Sequence, residues 1–528
     1  MTEIPETAGK PVRRHADPGR ANAPGSSPRI GTSHRHLLRN GLFNSGGWAI
    51  NAAVALLLMP FLAGRLGMEV YGTYILLVNF IGYYIFIDMG LGQGVIKYVA
   101  ELNARKDYAA LNRSLNAALW VQLLLGILGA AALTVFAVPL LKLLNVPAAI
   151  FSDAAFCLRL CAVAFFFTML SATFAAALMG LQRYDLTTKV TVISNLLMTA
   201  GIVWALYRGG GLKPAIIITA VFAMINCAVF AMLVKKKVPQ FQFFSHFDLA
   251  TFRELFAFSG YLFISRICSV FGNYLTAFII SIMLGPALVP VFVIPWRLIN
   301  AAGNFLSSAL VVMFPYVSEI AALGDEENVR SVFQQVSQVA AAISIPINLT
   351  LAAFSRFILA AWMGKAFAEQ AAVVLTLLAW MALLGSLTTV PNLVTMGLGH
   401  ARLIGIFSIF SLGFYLLFIP LFTHYFGING TAGAMLVGTL PGLFLLGFIV
   451  RKIIRLPLWQ YSKNVAGFHA LPGAMAVVYF AALGKWLPGE KIWLFAIPFL
   501  FLAGYFSLIL FKRRLPVAAF VALLKRHE

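Results

Sequence analysis

Arg266, Ser269, Asn273 and Thr276 follow one another at spacings of three, four and three inside an otherwise apolar run. Arg297, Asn300, Asn304 and Ser307 repeat those spacings in the next apolar run. Such spacing puts each set on one face of an α-helix. An arginine at mid-bilayer costs at least ~2.5–3.5 kcal/mol on insertion scales, so it normally faces a bundle interior or a watery cavity. Its planar guanidinium matches phosphate oxygens two at a time, and amides and hydroxyls beside it add further hydrogen bonds. The chemistry these stripes offer is recognition of an anion inside a membrane. The competing reading is an arginine that caps helix carbonyls or pairs with an acid for packing alone. Arg159 lies near the outer end of its own run, where snorkelling to the interface explains it.

Asp88 is the one carboxylate set well inside an apolar run. Two readings stay open for it: a protonation or sodium-coupling site, or a structural group that satisfies nearby backbone or pairs with Lys97. No paired acids and no His-containing motif lie near an outer membrane face, and His400 and His424 are isolated. General acid–base chemistry therefore lacks its groups, and an enzyme is not expected. Cys157, Cys161, Cys227 and Cys268 all fall in apolar runs and read as small core residues. Without a completing His or further Cys there is no metal set, and no cofactor is expected.

The elements that must position these groups follow from composition. The chain has 528 residues, 61% hydrophobic and only 11% charged, with a mean hydropathy of +0.89. Soluble domains keep roughly a quarter of their residues charged, so an ordinary globular enzyme is excluded. Runs of about twenty apolar residues, the length that spans a bilayer, recur along the chain. They predict an all-α polytopic membrane protein with fourteen spans near 42–63, 73–96, 114–137, 154–180, 188–208, 213–234, 256–284, 288–314, 332–355, 370–397, 402–424, 429–450, 466–485 and 491–511. Most of the Lys and Arg residues fall on both termini and on alternate connections. The opposite connections carry only Arg65, Lys142, Arg208, Lys213, Arg356, Lys365, Lys485 and Lys491. The positive-inside rule then places both termini in the cytoplasm. Connections on the opposite side are short, so the work must be done within the membrane.

The formal net charge of +21 reflects this topology and a basic tail at residues 1–36, not nucleic-acid binding. That tail is rich in Pro, Gly and Ser, lacks apolar periodicity and reads as disordered. No small-residue cleavage motif follows the first apolar run, so no removable signal peptide is expected.

A repeat organises the spans. "YVAELNARKD" begins at Tyr98 and "YVSEIAALGD" at Tyr316, an offset of 218 residues. Leu66-Gly67 and Leu284-Gly285, at the same offset, close the first and seventh spans. Six spans separate the partners, an even number, so both copies enter the membrane in the same direction. Two parallel-repeat six-helix lobes are expected, with a site between them. The N-lobe covers 37–234 and a cytoplasmic linker 235–255. The C-lobe covers 256–450, two appended spans lie within 451–511, and a basic tail occupies 512–528. The offset carries Arg266, Ser269 and Asn273 onto Trp48, Asn51 and Ala55, and Arg297 onto Asn79. One wall of the cavity is thus cationic, and the other offers amide and indole groups suited to sugars, with Trp48 equally able to serve packing alone.

"GRLGMEVYGTYILLVNFIGYYIFIDMGLGQGVIKYVAE" resembles the first helix pair of polysaccharide transporters in the multidrug/oligosaccharidyl-lipid/polysaccharide flippase superfamily. The shared features are Leu66-Gly67, Tyr71-Gly72 and Asp88-Met89-Gly90-Leu91, and "FPYVSE" after the eighth span is similar too. The resemblance implies that superfamily's fold and an O-antigen-type flippase for an undecaprenyl-diphosphate-linked oligosaccharide, working by alternating access in a bacterial inner membrane. A cation-coupled multidrug exporter of the same superfamily, with Asp88 as its coupling site, is the sibling reading. A membrane-embedded glycan polymerase or ligase is the reading from another class. As a flippase the chain is expected to work as a monomer on a polyprenyl-diphosphate-linked glycan, in membrane lipid, beside glycosyltransferases and a glycan polymerase. Substrate contacts are expected from Arg266, Arg297, Ser269, Asn273, Asn300, Asn304, Trp48 and Asn51.

Overall fold

A computed structural model describes residues 34–83, 88, 90–245, 248, 275–310, 326–398, 401–463 and 465. The protein is helical throughout these residues, with no strand among them. In chain order the helices are α1 (His34–Leu66), α2 (Met68–Gly82), α3 (Leu91–Ala104), α4 (Tyr108–Val135), α5 (Ala137–Leu143), α6 (Ala148–Gly180), α7 (Tyr184–Tyr207) and α8 (Leu212–Lys237). After a short helix α9 (Leu275–Leu284) come α10 (Val289–Leu310), α11 (Glu326–Ala353), α12 (Ser355–Met363), α13 (Lys365–Gly397), α14 (Ala401–Val437), which is two helices joined at a kink at Gly427 (φ 59, ψ −141), α15 (Leu440–Phe448) and α16 (Leu458–Ser462). Among the described residues nine helical stretches are long and apolar enough to cross a membrane, and α2 and α9 are shorter apolar helices. Residues 466–485 and 491–511 lie outside the described residues.

The doubling is written into the helix boundaries. Tyr108–Val135 and Glu326–Ala353 are both 28 residues long, and both ends differ by 218. Ala148–Gly180 and Lys365–Gly397 are both 33 residues long. Gly67 (φ 76, ψ 161) and Gly285 (φ 89, ψ 160) share one unusual backbone conformation at the same offset. A side chain is strained there, which explains why the Leu-Gly pair recurs. Each half is built around its 33-residue helix: α6 packs against α2, α3, α4 and α8, and α13 against α10, α11, α12, α14 and α15. With no hydrophobic drive between helices in lipid, close packing of small residues holds them. Ala154, Cys157, Cys161 and Ala164 on α6 are fully buried, and Cys157, Cys161 and Cys227 are free thiols serving as small core residues. Cys268 lies outside the described residues.

The two halves meet at the end marked by Gly67 and Gly285. A Cβ on Gly72 would sit 1.8 Å from the Pro286 carbonyl oxygen and 3.1 Å from Pro290 Cδ. Pro290 is the repeat partner of Gly72, so an approximate twofold axis passes through this contact. Phe278 packs edge-on against Phe80 at 4.9 Å between ring centres. Ser281 donates to the Leu144 carbonyl at 2.6 Å and Asn145 Nδ2 to the Ile282 carbonyl at 2.7 Å. Trp362 Nε1 donates to the Leu56 carbonyl at 3.2 Å. This end of the bundle is closed.

Two elements differ from the sequence reading. The second span, expected to run unbroken over 73–96, ends at Gly82, and α3 restarts at Leu91 behind Gly90 (φ 75). Asp88 stands at that interruption. The fourth member of the first polar stripe, Thr276, is fully buried on α9 and hydrogen-bonded to Tyr415 of α14. It packs against that helix.

The first residues of the connection between the halves are held on α4. Asn112, Asn116 and Trp120 recur every four residues on one face. Asn112 Oδ1 accepts from Gln242 N at 2.9 Å, and Asn116 donates to the Gln242 carbonyl at 2.8 Å. Asn116 Oδ1 accepts from Ser245 N at 3.0 Å, and Trp120 Nε1 donates to the Ser245 carbonyl at 2.8 Å. Irregular backbone beside a membrane helix needs such partners. Asn116→Leu removes two of them and should lower stability by about 1–3 kcal/mol, the cost of leaving polar groups unpaired. A detergent thermal-shift measurement with Asn103→Leu, a half-buried position near the end of α3, as the control checks this; an unchanged midpoint contradicts it.

Candidate functional site

On α10 the apolar residues Val289, Val291, Phe292, Ile294 and Ile299 are buried. The polar stripe points the other way, with Arg297 and Asn304 exposed and Asn300 half-buried. The stripe expected from the spacing is therefore one continuous side of α10. Asn300 Nδ2 donates back to the Trp296 carbonyl at 3.0 Å. Arg297 has no ion pair among the described residues. Its charge is within electrostatic reach of Tyr71 and Tyr74, both on α2 of the other half. α10 packs directly against α1 and α2. Arg297 thus stands on a helix packed against the other half, about two to three turns beyond the closed contact at Gly72.

Across from it, α1 carries Asn51, half-buried, whose Oδ1 accepts from Asn195 Nδ2 of α7 at 2.9 Å. The side chain of Trp48 falls outside the described residues, as do Arg266, Ser269 and Asn273 entirely. Of the eight substrate contacts expected from the sequence, the structure places four: Arg297, Asn300 and Asn304 together on α10, and Asn51 on α1.

Asp88 occupies a different place. Its Oδ1 accepts a hydrogen bond from Gln122 Nε2 of α4, and its Oδ2 accepts from Gly92 N at 3.4 Å. The Asp88 carbonyl accepts from Leu91 N at 2.9 Å. A helix that restarts inside the membrane exposes N–H groups at its first turn, and here the Asp-x-Gly-Leu segment supplies acceptors for them. Gln122 is buried, and its Oε1 has no hydrogen-bond partner among the described residues. Sequence reasoning missed Gln122 and Asn195, because each acts through a tertiary contact and neither heads a polar stripe. Asn195 does lie with Thr188 and Thr199 on one α7 face, a weak signal in the sequence.

Among the described residues no group of three or more His, Cys, Asp or Glu side chains is arranged to hold a metal ion. The described part of the site offers a cation and amides, groups chemically suited to an anionic polar molecule.

The comparisons with known proteins fit this arrangement. Residues 37–321, more than half of the chain, match the family model described as polysaccharide biosynthesis protein. A Shigella flexneri protein named for O-antigen transport is 23% identical over 418 residues, covering 79% of this chain and 98% of its own. The lipid II flippase MurJ, in an inward closed conformation, superposes with a TM-score of 0.73 at 12% identity, over 90% of this chain and 99% of that one. An inward-facing multidrug resistance transporter of the MATE family superposes with a TM-score of 0.59 at 15% identity, over 77% of this chain and 96% of that one. The chain belongs to the polysaccharide biosynthesis protein family and has the fold of the flippase and multidrug-transporter superfamily.

Proposed function

We propose that the protein flips an undecaprenyl-diphosphate-linked oligosaccharide, an O-antigen or exopolysaccharide repeat unit, across a bacterial inner membrane by alternating access. The observation that carries this is Arg297: an exposed guanidinium without an ion pair among the described residues, set between the two halves of a membrane bundle. Uncompensated positive charge at that depth suits a diphosphate and disfavours a cationic drug. The glycan and diphosphate pass through the polar path while the polyprenyl tail stays in lipid.

In this reading the Gly67/Gly285 end faces the cell exterior, and both termini lie in the cytoplasm. Arg297 holds the diphosphate together with Arg266, while Ser269, Asn273, Asn300, Asn304, Trp48 and Asn51 line the same cavity. An inside-negative potential favours outward movement of the anion by ~2.3 kcal/mol per charge per 100 mV. The protein transports and does no chemistry on the glycan. Complementation tests this: expression in a strain lacking its O-antigen flippase restores surface polysaccharide, and failure to do so when the protein is present in the membrane counts against the reading.

Asp88 is assigned a structural role, because it satisfies Gly92 N–H and Gln122 at the break in span 2. Asp88→Asn keeps an acceptor and should leave transport largely intact across pH. Asp88→Leu unpairs both donors and should lower membrane abundance. Complete loss of transport in Asp88→Asn at normal abundance, with activity restored by Asp88→Glu, would instead establish proton or sodium coupling.

A further inference from the structure

Asn195 pairs with Asn51 across two helices, and the flippase reading gives Asn195 no task of its own. We propose that Asn51 and Asn195 form a saccharide subsite that recognises hydroxyl groups of the glycan, beside the arginine that holds the diphosphate. The proposal rests on the flippase reading and adds the groups that distinguish a glycan-bearing lipid from the bare carrier.

The pair is held rigidly. One turn before Asn51, a Cβ on Gly47 would meet Thr188 Cγ2 at 2.3 Å, so α1 and α7 approach closely at that point. Asn195 Nδ2 donates to Asn51 Oδ1 at 2.9 Å. That bond uses one N–H of Asn195 and one lone pair of Asn51. Both N–H groups of Asn51, the second N–H of Asn195 and the Asn195 carbonyl have no other partner among the described residues. Both side chains are half-exposed. Amide groups with unused valences are costly against hydrocarbon, so they favour water or a polar ligand. Neutral, adjacent donors and acceptors suit sugar hydroxyls, each of which both donates and accepts.

Depth matches the arginine. Gly67 and Gly285 are level, because Gly72 abuts Pro286 and Pro290. Asn51 precedes Gly67 by sixteen positions and Asn300 follows Gly285 by fifteen. At a rise of 1.5 Å per residue both lie roughly 23 Å from that end, about one helical turn deeper than Arg297. α1 packs against both α7 and α10. A diphosphate at Arg297 therefore places its first sugars at the level of the amide pair.

The test uses the purified full-length protein in nanodiscs and two lipids: undecaprenyl diphosphate, and the lipid-linked oligosaccharide extracted from the host's own membranes. Wild type should bind the glycan-bearing lipid about tenfold more tightly, the worth of one or two neutral hydrogen bonds. Asn195→Ala should reduce that affinity to the value for undecaprenyl diphosphate, whose own binding is unchanged. Arg297→Ala should weaken both. Equal affinity of wild type for the two lipids, or an unchanged preference in Asn195→Ala, overturns the subsite and leaves the flippase reading standing. Failure of wild type to bind either lipid overturns both. If Asn195→Ala lowers the thermal midpoint, Asn195→Ser retains a donor and an acceptor for the same comparison. Equal weakening toward both lipids in either variant makes the pair a helix–helix contact only and overturns the subsite.

Discussion

Arg297→Ala abolishes glycolipid transport while leaving the amount of protein in the membrane close to wild type. The two halves of that expectation have separate causes. Arg297 has no ion pair among the described residues, so its removal strands no buried acid and exposes no new cavity in the core. Breaking a buried pair is what makes loss of a charge destabilising, by about 3–5 kcal/mol where it happens. Transport, by contrast, loses the group that in the proposed function replaces water around the diphosphate. Arg297→Lys keeps the charge without the planar fork, so activity should fall only partly. Arg266→Ala should match Arg297→Ala. Surface polysaccharide in a flippase-deficient strain, read beside an immunoblot of the membrane fraction, checks each variant. A double Arg→Ala variant that still complements returns both residues to a packing role.

Gly72→Ala is expected to reduce transport at least as severely, through the closed end of the bundle. The new Cβ would stand 1.8 Å from the Pro286 carbonyl oxygen, a backbone atom that no side-chain rotation can remove. The halves must therefore separate where they now touch, and alternating access loses one of its closed states. Gly64→Ala is the control, since nothing lies within 4 Å of its Cβ position. An engineered thiol from Tyr71→Cys, buried beside this contact in the parent, should become reactive to a membrane-impermeant maleimide in the Gly72→Ala background. Normal transport together with an unlabelled thiol contradicts this role for Gly72.

The sequence was most legible where a pattern is local or repeats. Apolar runs marked the helices, and an offset of 218 aligned α4 with α11 to the residue. Spacing alone put Arg297, Asn300 and Asn304 on one side of α10. Hydropathy could not show the interruption of span 2, because residues on both sides of it are apolar and the break depends on Gly90 and on acceptors from Asp88. Helical periodicity also could not show that the Thr276 hydroxyl is buried against Tyr415, more than a hundred positions away in the chain. The same limit hid Gln122 behind Asp88, Asn195 behind Asn51, and the hold of Asn112 and Asn116 on the connection after α8. Each depends on which helices the fold brings together, and a single periodicity carries no such information.

Translocation in proteoliposomes tests the central claim most directly. The purified protein is reconstituted with lipid-linked oligosaccharide extracted from host membranes, and glycan reaching the opposite leaflet is read with an impermeant lectin. The account predicts protein-dependent translocation that is accelerated by a potential favouring movement of the anion and is lost in Arg297→Ala. Transfer no faster than in protein-free liposomes, with either polarity of potential, would contradict it.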